Sequence, residues 1–160
     1  MPPPESSFLR FKFVHYQGET HPDSRKVVLD VGVRDLFKSG ALKTPQAKHK
    51  FLLLCGARWQ APSADVIATL NGALERGADL DEAYTSAGDL GKLEIASSHL
   101  PHESQNMKWC SDVLDKMIAA ANEQPSFTEV PLDPRPYIKS NSRGGQIPVA
   151  TEQDFPKEWL

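Results

Sequence analysis

The stretch from Glu103 to Asn122 constrains the fold more than any other part of the chain. Met107, Cys110, Val113, Leu114, Met117, Ile118 and Ala121 recur at helical spacing, so one side of a long helix must bury against a core. This is a packing stripe rather than a cofactor box. Three other segments carry a period of two. From Phe8 to Tyr16, Leu9, Phe11 and Phe13 point one way, and Arg10, Lys12 and Val14 the other. From Lys26 to Val33, Val27, Leu29, Val31 and Val33 point inward, with Val28 and Asp30 outward. Gly18 and Pro22 punctuate the link, so these two strands can pair as a wide hairpin. Lys92 to Ser98 reads as a third strand, with Leu93 and Ile95 inward.

Two further helices have clear starts. Thr44-Pro45 supplies a capping hydroxyl and a proline suited to the first helical position, and Gly56 is a natural stop. Between them Ala47, Phe51, Leu54 and Cys55 share a face with Leu52 beside it. Ser63 caps a helix running to about Arg76, with Val66, Ile67, Leu70, Ala73 and Leu74 as its stripe. The acidic segment Gly77 to Gly91 reads as a loop. Together these patterns predict an α+β fold: a small mixed sheet packed against two or three helices. Residues 1–7 are expected to form an extended N-terminal arm and 8–124 a single α+β domain. Residues 125–160, rich in proline, are expected to form an extended C-terminal arm.

Charge narrows the function. The net charge is −3, but residues 1–50 carry nine Lys/Arg against five Asp/Glu, whereas residues 51–130 carry five against twelve. That balance argues against a free-standing nucleic-acid binder and leaves room for one basic face. No run of apolar residues is long enough to span a membrane. The two cysteines, Cys55 and Cys110, lie on apolar helix faces and read as small buried thiols. The first residues, Met-Pro-Pro-Pro-Glu-Ser-Ser, match neither a signal peptide nor a transit peptide.

No constellation of catalytic type stands out. His15, Glu19 and His21 form the best metal candidate, but their spacing matches no helical His-Glu or Cys/His pattern. Polar residues shaping a turn are the better account, and the same holds for His99 and His102 around Pro101. There is no phosphate-binding glycine loop and no nucleophile elbow. What remains is a set of basic side chains beside aromatics, suited to phosphate contact and base stacking. The RNA-contact candidates are Arg10, Lys12, Arg25, Lys26, Lys48, Lys50, Arg58 and Lys108, with Tyr16, Trp59 and Trp109 as stacking groups. Each of the cations is expected at the surface.

Several long motifs occur in a fixed order: "KFVHYQGETHPDSRKVVLDVGVRDL", "LKTPQAKHKFLLLCGARW", "KLEIASSHLPHESQNMKWCSDVLDKMIAAA", "FTEVPLDPRPY" and a closing "FPKEW". Together they resemble the mitochondrion-specific small-subunit ribosomal protein family called S-thirty-five in mammals and S-twenty-four in fungi. The resemblance covers nearly the whole chain outside residues 63–91 and 138–153, and marks 63–91 as an insertion. It implies a structural constituent of the head of the mitochondrial small ribosomal subunit. The partners so implied are small-subunit ribosomal RNA and neighbouring ribosomal proteins, in the mitochondrial matrix. It implies no enzyme activity, no cofactor, no metal, no membrane and no small-molecule substrate. Two other readings compete: a protein-interaction adaptor using the acidic region 75–94, and a metal-dependent enzyme built on His15, Glu19 and His21.

Overall fold

The computed structural model describes residues 8–18 and 21–132. The expected arms at 1–7 and beyond 132 therefore lie outside the described residues, as does Glu19. In chain order the elements are β1 (Leu9–Phe13), β2 (Val27–Gly32), α1 (Val33–Lys38), α2 (Pro45–Cys55), β3 (Trp59–Gln60), α3 (Ala64–Glu75), α4 (Leu80–Ser86), β4 (Lys92–Ser97) and α5 (Glu103–Asn122). One-turn helices at Pro22–Arg25 and Gly56–Arg58 lead into β2 and β3. The class is α+β, as expected.

The strands lie in the order β1-β2-β4-β3, and every pair is antiparallel. The expected mixed sheet is corrected in this respect. Periodicity tells which residues share a face but not which way a strand runs. The expected hairpin forms, with Leu9 opposite Val31 and Phe13 opposite Val27. On one face Val27, Leu29, Val31, Leu93 and Ile95 are at most 1% exposed. There α5 packs chiefly across β2 and β4, and α2 packs on α5.

Local chemistry sets the helix boundaries. The Thr44 hydroxyl accepts from the Ala47 amide at 3.1 Å, and Ser63 Oγ accepts from the Val66 amide at 3.4 Å. Gly91 leads into β4 with φ of +74°, and a Cβ there would meet the Gln60 carbonyl oxygen at 2.0 Å. Only glycine lets the chain turn so close to β3.

Several expectations change. The segment Gly77 to Gly91 is not all loop. It holds α4, started by the Asp79 carboxylate, which accepts from the Asp81 amide at 3.0 Å. Within residues 63–91, Ile67, Leu70, Ala73, Ala83, Tyr84 and Leu90 all enter the main core. In α2, Leu54 is 42% exposed while His49 and Lys50 are buried. This helix is covered on a second side by α4 and by the residues after α5.

His49 shows how that second side is sealed. Its Nε2–H donates to the Val130 carbonyl at 2.8 Å, and Nδ1 accepts from the Tyr84 hydroxyl at 3.1 Å. The neutral ring is thus satisfied at both nitrogens. Burial pushes its pKa below the ordinary 6.5, against a smaller opposing effect of the Val130 hydrogen bond. Unfolding exposes a histidine that takes up a proton more readily. The resulting stability is full above about pH 6.5 and is lost as pH falls toward the lower folded value. Thermal melts at pH 7.5 and 5.5 should show a marked fall for the native chain. His49→Gln should flatten that fall; an equal fall in the variant would refute this role for His49.

Candidate nucleic-acid interface

One end of the sheet gathers much of the expected contact chemistry. The C-terminal end of β1, the start of β2, the end of β4 and the N-terminus of α5 meet there. The centre of this junction is Asn106, which is 0% exposed. Its Oδ1 accepts from Ser97 Oγ at 2.7 Å and from the Leu100 amide at 3.1 Å. Its Nδ2 donates to the carbonyls of Arg25 at 2.8 Å, Leu100 at 2.9 Å and His102 at 3.3 Å. One amide thereby ties the segment before β2 and the stretch from Ser97 to His102 to the first turns of α5. The sequence does carry a signal for it: Asn106 stands four residues before Cys110, a polar residue on an apolar stripe.

Around this hub sit four of the five histidines. His21 ends its loop by accepting the Asp23 amide at Nδ1, 3.1 Å away. Its ring lies 4.1 Å from that of Tyr16, centroid to centroid. His15 Nδ1 stands 3.7 Å from a Glu103 carboxylate oxygen. The Ser97 hydroxyl, donating to Asn106, lies 3.1 Å from His99 Nδ1 and so accepts from its N–H. The His99 ring meets Trp109 edge-on, with centroids 5.0 Å apart. His102 precedes the first turn of α5 without capping it through its side chain. His15 and His21 are thus engaged with different partners, as turn-shaping residues would be.

The contact candidates divide into three sets. Tyr16, 46% exposed, lies at this end with exposed Arg25 and Lys26. Trp109, half-buried, joins them through His99, and exposed Lys108 stands beside it in an i,i+4 pair with Asp112. Those two residues, with Leu100 and Ser104, line a shallow hollow. A second set, Arg10 and Lys12, lies on the outer face of β1. Lys12 pairs with Asp30, and the hydrogen bond and charge of that carboxylate raise the ammonium pKa.

The third set lies along α2 and its exit, and here the expectation fails in part. Lys50 is only 7% exposed, and its ammonium donates to the Glu123 carbonyl at 2.7 Å over the Phe127 ring. It holds the chain after α5 and is not a surface cation. Trp59 is 0% exposed and donates from Nε1 to the Leu90 carbonyl at 2.8 Å, so it cannot stack on a base. The neighbouring arginine suggested a surface tryptophan, but β3 turns its ring into the core. Lys48 is half-buried and paired with Asp81. Arg58 is exposed and forms no ion pair among the described residues.

Asp30 is a residue the sequence placed outward, yet it is 9% exposed. It lies between Arg10 on β1 and Glu94 on β4. One of its oxygens meets Lys12, while Oδ1 is buried without a hydrogen-bond partner among the described residues. The thiols of Cys55 and Cys110 are buried, and burial raises the pKa of both. They are core residues rather than nucleophiles. Among the described residues no group of three or more His, Cys, Asp or Glu is placed to hold a metal ion. No described helix is long and apolar enough to cross a membrane.

A family model described as mitochondrial ribosomal subunit protein matches residues 1–160. A curated relative, the small ribosomal subunit protein mS35 of Neurospora crassa, is 27% identical over 161 residues. That similarity covers 100% of this chain and 31% of the relative, so the chain spans about a third of the length of the curated relative it matches.

Proposed function

Because the chain belongs to the family of mitochondrial ribosomal subunit proteins, we propose that it is a structural, non-catalytic constituent of the head of the mitochondrial small subunit. It sits in the matrix, held by ribosomal RNA and by neighbouring ribosomal proteins. The whole-chain family match carries this reading, and the likeness to a small-subunit protein favours the smaller particle.

The end of the sheet around Asn106 is the surface best suited to RNA. Arg25 and Lys26 are exposed there, and neither forms an ion pair among the described residues. Tyr16 and Trp109 offer ring faces or edges nearby. Phosphate contacts need only correctly placed charge, while stacking needs an accessible ring. Lys108 extends this surface, while Arg10 and Arg58 lie apart from it, on β1 and before β3. Lys12 and Lys48 are weaker contributors, because Asp30 and Asp81 already neutralise them.

The same reading takes residues 8–124 as one domain and 63–91 as an insertion that has become part of its core. The rival adaptor reading loses support for a specific reason. Asp79 caps α4, Asp81 pairs with Lys48, and Asp89 accepts from the Gly91 amide, so much of the acidic region is used internally.

Charge reversal tests the RNA surface. Arg25→Glu with Lys26→Glu replaces two exposed cations, and surface changes of this kind move stability by about 0.5 kcal/mol or less. Incorporation into the small subunit should nevertheless fall about tenfold, since each lost phosphate contact weakens RNA binding. Normal incorporation of a folded double variant would show that this end faces solvent.

A further inference from the structure

We propose that the outer edge of β1 receives one strand of a neighbouring subunit protein, with side chains alternating between apolar and acidic. This rests on the ribosomal reading only for the source of that partner.

β1 stands last in the sheet order, paired on one side with β2 and with nothing on the other among the described residues. Half of the backbone N–H and C=O groups of such an edge strand point away from its partner. Folded proteins usually blunt such an edge with proline, a bulge or a very short strand. β1 has none of these: Leu9-Arg-Phe-Lys-Phe13 pairs with β2 in unbroken register. Charges also protect edges, and β1 carries two, Arg10 and Lys12, but both lie on its outer face and Lys12 is folded back onto Asp30.

The two faces of β1 specify the guest. On the inner face, Leu9 is 37% and Phe13 36% exposed, because α5 lies chiefly over β2 and β4. The rings of Phe11, Phe13 and His15 form a ladder at 6.4 Å steps along that face. On the outer face Arg10 is exposed without an ion pair among the described residues. Side chains of an added strand would alternate in the same way. Those beside the ladder must be apolar, and those beside Arg10 and Lys12 acidic. RNA could satisfy Arg10, but it offers neither an aliphatic surface for Leu9 and Phe13 nor β-spaced groups for the edge amides.

The test uses intact small subunits carrying a photoreactive benzophenone amino acid at position 10 or position 13 of this chain. Both probes should cross-link one ribonuclease-resistant protein segment. The probe at 13 should reach apolar residues, and the probe at 10 adjacent acidic ones. Adducts with RNA, adducts within this chain, or no adduct would each overturn the proposal while leaving the ribosomal reading intact. Absence of the chain from the subunits would overturn both. As a second measurement, Leu9→Glu with Phe13→Glu is tested in a variant that circular dichroism shows to be folded, since each side chain is about a third exposed. It should lower incorporation about tenfold. A folded double variant that incorporates normally would also refute the docking.

Discussion

Asn106→Ala is expected to destabilise the domain by about 3 kcal/mol. The side chain serves five partners, and no solvent can replace it at 0% exposure. Truncation leaves the Arg25 and Leu100 carbonyls and the Leu100 amide without their partner in a part-buried junction. Each orphaned group costs roughly 1–3 kcal/mol, but the members of one network do not add in full. Asn106→Asp separates hydrogen bonding from volume. It is nearly isosteric, yet it removes the amide donors and places a charge against three carbonyl oxygens. Chemical denaturation should therefore find it at least as unstable as the alanine variant. If the aspartate variant is near native, the hub account is wrong. The loss also has a functional side. Asn106 anchors the backbone at Arg25, so variants that still fold should show faster amide exchange at Arg25 and Lys26.

Trp59→Ala is expected to cost about 3–5 kcal/mol, the range for removing a large aromatic from a close-packed core. The ring is 0% exposed, and its N–H holds the Leu90 carbonyl just before β4. Domains of this size have only about 5–15 kcal/mol in reserve, so much of the purified variant should be unfolded or aggregated. Trp59→Phe keeps most of the volume and loses the hydrogen bond, and should cost about 1–3 kcal/mol. Trp109→Ala provides the contrast. That ring is half-buried, and its removal should affect assembly more than folding. Equal unfolding free energies for the Trp59 and Trp109 alanine variants would contradict this division.

These two positions show what the sequence could and could not reveal. The starts of α2 and α5 and the hairpin of β1 and β2 were legible because caps and periodicity are local signals. Direction of pairing was not, and neither was the extent of helix cover. Leu9 and Phe13 have the pattern of buried strand residues, yet they stay exposed because the sheet is wider than the helix laid on it. Asp30 has an outward position and is buried because neighbouring long side chains close over it. Lys50 is expected at the surface of α2 from its charge, and the segment after α5 covers both it and His49. Trp59 followed an arginine and resembled a stacking group, but only the placement of β3 reveals which way its ring points. The exposed candidates Tyr16, Arg25 and Lys26 were found by charge and residue type. The network that gathers them passes through Asn106, whose meaning depends on contacts between segments far apart in sequence.

As a member of the mitochondrial ribosomal subunit protein family, this chain is expected to work as a fixed part of the small subunit. Sedimentation of a tagged, full-length chain from mitochondrial lysate tests it most directly. The account predicts stoichiometric co-migration with the small subunit, stable to moderate salt and lost when ribosomal RNA is digested. A free pool at the top of the gradient, with no chain in the small-subunit fractions, would contradict it.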